Sequence, residues 1–202
     1  INTGQVCNCA ERVYVDKAIK ETFMEKLVAG MKQVKVGNPN EVADLDMGPL
    51  IEASALESME KKVERAIQQG ARLLCGGHRI GTKGYFFEPT VLDCVTQKMD
   101  IIQETFGPIL PVVEYSDIND AIAWANDCEY GLTSSVYTQN LDNAFKVMRS
   151  LKFGETYINR ENFEAMQGFH AGWRKSGIGG ADGKHGLEEY LQTQVVYLET
   201  KE

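Results

Sequence analysis

Ile109-Leu110-Pro111-Val112-Val113-Glu114-Tyr115-Ser116-Asp117-Ile118-Asn119-Asp120-Ala121-Ile122-Ala123-Trp124-Ala125 is the stretch whose pattern decides the fold class. Ile109 to Tyr115 reads as a strand directly after a Phe-Gly-Pro turn. Asp117 and Asp120 then open a helix that carries Ala121, Ile122 and Ala125. The alternation continues downstream. Thr133 to Thr138 reads as a strand, Asn140 caps a helix with Leu141, Phe145 and Met148 on one side, and Glu155 to Asn159 is a further strand. Strands alternating with amphipathic helices predict an α/β fold whose sheet is covered on both faces.

The upstream half follows the same grammar. Glu11 to Val15 reads as a short buried strand. Asp16 can cap a helix in which Ile19, Phe23, Leu27 and Met31 recur on one face, through about Val34. Gly37-Asn38-Pro39-Asn40 ends that helix with loop chemistry. Ser54 with Glu57 forms a capping box for a helix with Leu56, Met59, Val63 and Ile67 inward, stopped by Gly70. Ala71 to Cys75 is a strand. Phe86 to Val95 is an extended stretch that contains Pro89, which predicts an edge or bent strand. From Arg160 to Gly186 the pattern breaks into an irregular glycine-rich stretch with Phe163, Phe169, His170 and Trp173, a long loop of the kind that is functional or disordered, and its aromatic content favours the former. Its Gly177, Gly179, Gly180 and Gly183 do not fit Gly-x-Gly-x-x-Gly and read as turn glycines. Tyr190 to Leu198 reads as a terminal strand, rich in Val and Tyr, suited to pairing with another sheet edge.

Composition narrows the function classes. The 202 residues suffice for one domain with a full core, and 43% hydrophobic with 25% charged residues is ordinary for a globular chain. A net charge of −8 with no basic run argues against nucleic acid as a partner. No apolar run reaches the length of a membrane span, so no membrane partner is expected. The five cysteines (7, 9, 75, 94 and 128) are odd in number and unevenly spaced, which reads as free thiols in a reducing cytoplasm. Cys7-Asn8-Cys9 lacks the second ligand pair that a zinc site needs, so no metal is expected.

Cys7 is the residue with most chemical potential. Its thiolate would be the reacting species, provided that a neighbour lowers its pKa or takes its proton. Taken alone, a lone cysteine reads first as buried packing. Glu104 reads as a solvated acidic turn residue or as a carboxylate holding a sugar's hydroxyls. His170 reads as a surface histidine or as a hydrogen-bonding group in a site.

Asn2-Thr3-Gly4-Gln5-Val6-Cys7 resembles the Asn-x-Gly-Gln-x-Cys motif of the NAD(P)-dependent aldehyde dehydrogenases. Gln103-Glu104-Thr105-Phe106-Gly107-Pro108 is similar to that family's Glu-x-Phe-Gly-Pro element. Asn159 and Gly172-Trp173-Arg174-Lys175-Ser176-Gly177 resemble its later Asn and Gly-x-x-x-Ser-Gly segment. The resemblance runs over essentially the whole chain. It implies a three-layer α/β/α sandwich with a mostly parallel sheet, residues 1–187 forming the catalytic domain and residues 188–202 an oligomerisation strand. It also implies that the dinucleotide-binding domain, the general-base Glu and the oxyanion-hole Asn lie upstream, so that this chain is a C-terminal fragment, inactive alone.

In the chemistry so implied, Cys7 attacks an aldehyde to give a thiohemiacetal, hydride leaves to the nicotinamide of NAD (NADP being possible), and water hydrolyses the thioester. The backbone N–H of Cys7 would serve the oxyanion. Glu104 would hold the nicotinamide ribose and Phe106 would wall the nicotinamide. The resemblance places His170 where the family commonly has an aromatic in the substrate funnel. The run Asn159 to Gly186 is closest to family members that act on lactaldehyde and glycolaldehyde. An imidazole there, with Asn8 as a second polar group, predicts a small hydroxyaldehyde substrate. A homodimer or homotetramer joined through the terminal strand is expected. Two other classes compete: an oligomerisation module without activity, and a cysteine hydrolase using His78, His170 or His185 as base.

Overall fold

The computed structural model describes residues 1–200. Residues 201 and 202, the end of the expected 188–202 segment, lie outside the described residues. The chain divides into two compact units, Ile1–Cys128 and the remainder from Glu129 onward.

In the first unit, β1 (Val13–Asp16), β4 (Ile109–Tyr115), β3 (Thr90–Val95) and β2 (Arg72–Cys75) form one sheet in the order β1-β4-β3-β2. β1 and β3 both run parallel to β4, with Val13 opposite Val112 and Thr90 opposite Ile109. Only β2 is antiparallel. Residues alternate between the two faces, as the period of a strand dictates. Val13, Val15, Val91 and Val112 face one core with Phe23, Met24, Leu27, Val28 and Met31 of α1 (Lys20–Met31). Tyr14, Leu92, Ile109 and Val113 face the other. There they meet Leu56, Met59, Val63 and Ala66 of α2 (Ala53–Gln68), and Trp124 of α3 (Ile118–Asn126). Helices on both faces of a mostly parallel sheet make three layers, which is the predicted architecture.

The second unit contains the remaining alternation. β5 (Thr133–Val136) runs parallel to β6 (Glu155–Ile158), with α4 (Leu141–Ser150) between them in sequence. A short hairpin follows, β7 (His170–Ala171) antiparallel to β8 (Gly180–Ala181), and then α5 (Gly183–Glu188).

Two predicted caps form as expected. Asp117 accepts the Asn119 N–H at 2.8 Å, and Asn140 accepts the Asn143 N–H at 3.0 Å. Other expectations fail for physical reasons. Asp16 ends β1 and bonds the Ala18 N–H at 2.8 Å, so it stabilises the turn before α1 rather than capping the helix, whose cap is Ile19. The Ser54–Glu57 capping box does not form. The helix begins two residues earlier than that box requires, at Ala53 with Glu52 as cap, and Ser54 bonds the Glu52 carboxylate. Inside α2, Ala66 takes the buried position expected of Ile67, which faces solvent.

Pro89 does not make an edge strand. It precedes β3, which lies inside the sheet between β2 and β4. The bend falls later, at Cys94, whose φ of +55° accompanies a register shift between Leu92 and Val95. Asp93 beside this bulge is 2% exposed. Burial alone would raise its carboxyl, but Lys20 at 3.0 Å and Arg72 at 2.6 Å outweigh it and hold the pKa below the ordinary value.

The stretch 160–186 is less irregular than its composition predicts, since it contains the β7–β8 hairpin. Residues 191–200 form no strand in the single chain, because a strand needs a neighbouring ladder and none is offered to them. Tyr190, Leu191, Val195, Val196, Tyr197 and Leu198 are 63–93% exposed.

Candidate active site

The cysteine motif folds into two consecutive tight turns. Asn2, Thr3 and Gly4 form a single 3₁₀ turn in the left-handed region, with φ of +46°, +61° and +74°. Runs of left-handed residues are costly for L-amino acids, and such strain persists only where surroundings enforce it. Here the enforcement is visible. Thr3 is buried and donates to the Gly48 carbonyl at 3.1 Å. Gln5 accepts the Ile51 N–H at 2.9 Å and donates to the Asn2 carbonyl at 3.1 Å. The motif's Thr and Gln therefore fasten the segment to the connection before α2.

The next turn runs from Val6 to Cys9, closed by the Cys9 N–H on the Val6 carbonyl at 2.9 Å. Cys7 stands exposed at its tip, while Asn8 is only 8% exposed. Cys9 points elsewhere, its thiol 3.4 Å from the Ile1 carbonyl, so it serves packing. All five cysteines are free thiols.

The second motif comes directly against the first. A methyl group placed on Gly4 would lie 2.3 Å from the Gly107 carbonyl oxygen, and one on Gly107 would lie 2.4 Å from the Met59 sulfur. Glycine at position 4 allows the two backbones to approach this closely, and glycine at 107 leaves room for the Met59 side chain. The contact brings the turn bearing Glu104 and Phe106 against the Asn2–Gly4 turn, which leads directly into the turn bearing Cys7. Glu104 is exposed, and Phe106 is 43% exposed despite its aromatic ring. Phe106 has φ +52°.

Two residues that the sequence reading overlooked organise this turn. Glu11 accepts the Thr105 N–H at 2.6 Å and lies 3.5 Å from the Phe106 nitrogen. Burial pushes the Glu11 carboxyl above its ordinary range against the opposing pull of those two N–H groups, and the Glu104 charge adds to the rise. Lys62 donates to the Glu104 carbonyl at 2.6 Å. Burial pushes its ammonium below the usual range, with Glu11 and Glu104 opposing. An acidic residue at the head of a buried strand, in Cys9-Ala10-Glu11-Arg12, was the available signal for Glu11. Lys62 reads as one more lysine on a solvated helix face and left none.

In the second unit, His170 is partly buried and its Nδ1 lies 2.7 Å from Glu155. The other Glu155 oxygen accepts the Tyr157 hydroxyl, and the Arg160 guanidinium stacks over the Tyr157 ring at 5.4 Å. Burial and the neighbouring Glu155 push the Tyr157 hydroxyl well above its ordinary pKa. Engaging Nδ1 orients the imidazole and leaves Nε2 for another partner. Neither Glu155 nor Tyr157 was anticipated from the sequence.

The third motif is structural. Asn159 both accepts from the Thr138 N–H and donates to its carbonyl at 2.8 Å, closing the end of the β5–β6 pair. Ser176 accepts the Gly131 N–H at 2.8 Å. Among the described residues no group of three His, Cys, Asp or Glu side chains is placed to hold a metal ion. No described helix is long and apolar enough to cross a membrane.

Comparison with known proteins finds relatives over nearly the whole chain. The chain is 64% identical over 201 residues to lactaldehyde dehydrogenase of Escherichia coli (strain K12), covering 99% of this chain and 42% of that protein. The crystal structure of the E. coli lactaldehyde dehydrogenase superposes with a TM-score of 0.96, again over 99% of this chain and 42% of that one. A 3,6-anhydro-alpha-L-galactose dehydrogenase of Vibrio sp. (strain EJY3) is 43% identical over 202 residues, 98% of this chain and 42% of that protein. The chain thus spans less than half the length of these relatives. Residues 1–196 match the aldehyde dehydrogenase family, and the chain belongs to that family.

Proposed function

We propose that this chain carries the nucleophile and part of the cofactor site of an NAD(P)-dependent dehydrogenase that oxidises a small hydroxyaldehyde, lactaldehyde or glycolaldehyde, to its acid. One observation carries the reading: an exposed thiol, Cys7, sits on the turn directly after Asn2–Gly4, whose Gly4 packs against Gly107 in the turn that presents Glu104 and Phe106. The lactaldehyde dehydrogenase named above supplies the substrate class by its similarity.

The Cys7 thiolate attacks the aldehyde carbon, forming a C–S bond while the carbonyl π electrons move to oxygen. The Cys7 backbone N–H donates to that oxyanion. NAD(P), when bound, supplies the hydride acceptor. Collapse of the oxyanion expels hydride from carbon and leaves a thioester on Cys7. Water adds to the thioester carbonyl, giving a proton to the general base, and the C–S bond breaks to release the acid and the Cys7 thiolate. An exposed carboxylate beside a half-exposed aromatic fits a ribose and a flat ring, so Glu104 takes the ribose hydroxyls and Phe106 the face of the nicotinamide. NAD is the expected cofactor, and NADP remains compatible with these residues.

His170 sets the substrate class. With Nδ1 on Glu155, the resemblance assigns the imidazole's other face to the substrate's hydroxyl, and Asn8, next to the nucleophile in sequence, is proposed as a second polar group. A site built to bond a hydroxyl loses more with its proper substrate than with an analogue lacking that group. In the full-length enzyme, His170→Phe is expected to raise KM for lactaldehyde or glycolaldehyde roughly 30-fold while changing that for propanal less than about threefold. Equal changes for both substrates would remove His170 from the site.

The general base and the second oxyanion donor are assigned to the part of the relatives' length that this chain does not span. By the same resemblance residues 1–187 act as the catalytic domain in a cytoplasmic homo-oligomer, and the Tyr190 to Leu198 run pairs with a partner copy. The exposure of Tyr190 to Leu198 supports that last assignment. Family membership displaces the cysteine-hydrolase alternative.

A further inference from the structure

The turn that presents Glu104 and Phe106 adopts a backbone that its own sequence does not favour. Phe106 at φ +52° sits in the left-handed region, which costs a bulky residue on the order of 1–3 kcal/mol. Neither Gly nor Asn occupies this position, so the conformation must be imposed from outside the turn.

The imposing groups act on one peptide bond. The Glu104–Thr105 peptide donates its N–H to Glu11 at 2.6 Å, and its C=O accepts from Lys62 at 2.6 Å. The same Glu11 oxygen lies 3.5 Å from the next nitrogen, that of Phe106. A peptide held at both its donor and its acceptor cannot rotate, and this fixes the backbone on either side of it. Glu104 and Phe106 then project outward from a rigid base.

We propose that Glu11 and Lys62 form a clamp on the Glu104–Thr105 peptide and are positioning residues for dinucleotide binding. The proposal rests on the reading that Glu104 and Phe106 contact the ribose and the nicotinamide. Both clamp residues act through the peptide that carries Glu104. Both are partly buried charges, which are costly to keep unless their hydrogen bonds have a purpose. Glu11 reaches Thr105 across 94 positions of sequence, ahead of β1, so the clamp also ties this turn to the strand that follows the nucleophile. Precise placement of groups two atoms removed from the chemistry is a common source of tenfold effects.

The test is equilibrium titration of the full-length protein with NAD, followed by tryptophan fluorescence, alongside the rate at which iodoacetamide labels Cys7. Glu104→Gln and Glu11→Ala are each expected to weaken NAD binding about tenfold, and Lys62→Met about threefold. Glu11→Gln keeps a carbonyl acceptor for both N–H groups and should stay within about twofold of the parent. Labelling of Cys7 should change less than about twofold in all four, which a general collapse of the site would not allow. Parent-like affinity in Glu11→Ala with weakened Glu104→Gln overturns the clamp and leaves the ribose reading standing. Parent-like affinity in Glu104→Gln overturns the ribose reading itself. Should Glu11→Ala fail to fold, Lys62→Met decides, and parent-like NAD affinity in that variant overturns the clamp.

Discussion

Replacing Cys7 with serine in the full-length enzyme is expected to lower kcat for lactaldehyde by roughly 10⁴-fold or more. A serine hydroxyl is isosteric but far less ionised at neutral pH, so the attack on the aldehyde carbon loses its nucleophile rather than its geometry. Cys7 stands at the exposed tip of its turn, so the substitution removes no buried packing. Thermal stability and NAD affinity should therefore stay close to the parent's. Cys9→Ser makes the companion measurement. Its thiol lies against the Ile1 carbonyl, away from the tip, and kcat should fall less than about threefold. Comparable losses in both variants would mean that the turn, and not the Cys7 thiol, is what the reaction requires.

Gly4→Ala is expected to destabilise the protein by about 3 kcal/mol and to slow iodoacetamide labelling of Cys7 at least tenfold. Two independent causes act at this position. The residue has φ +74°, and the added methyl would meet the Gly107 carbonyl oxygen at 2.3 Å and its carbon at 2.5 Å. Both neighbours are backbone, so no side-chain rotation relieves the overlap. The Asn2–Gly4 turn must move away from the Glu104 turn, and the Cys7 tip moves with it. Denaturant unfolding and labelling kinetics on the same samples check this. Unchanged values in both would show that the glycine contact does not hold the two turns together.

The fold was largely legible because its signals are local. Ile109 to Tyr115 forms β4 with the predicted ends, and Asp117 and Asn140 cap the helices they precede. Where two local signals compete, the sequence misleads. Ser54 and Glu57 satisfy the spacing of a capping box, yet the register of α2 is set by Leu56, Met59, Val63 and Ala66 against the sheet, and this starts the helix at Ala53. Pro89 suggests an edge strand because it lacks an N–H, and it escapes that constraint by standing just before β3.

Long-range partners were not legible at all. Cys7, Glu104 and Phe106 are proposed from their motifs, but nothing in Glu11 announces a bond to Thr105, and nothing in Glu155 announces one to His170. Both pairs join segments brought together only by the finished fold. The terminal segment shows a different limit. The Val- and Tyr-rich run from Tyr190 to Leu198 has the composition of a strand, but strand pairing requires an edge that the single chain does not present to it.

The central claim is that Cys7 carries the covalent intermediate. The most direct test is to mix the full-length enzyme with lactaldehyde and NAD, quench in acid within one turnover, and map the modified peptide by mass spectrometry. The account predicts a lactoyl thioester on Cys7, absent when NAD is omitted and absent from Cys9. A thioester on another cysteine, or turnover with no modification at Cys7, would contradict it.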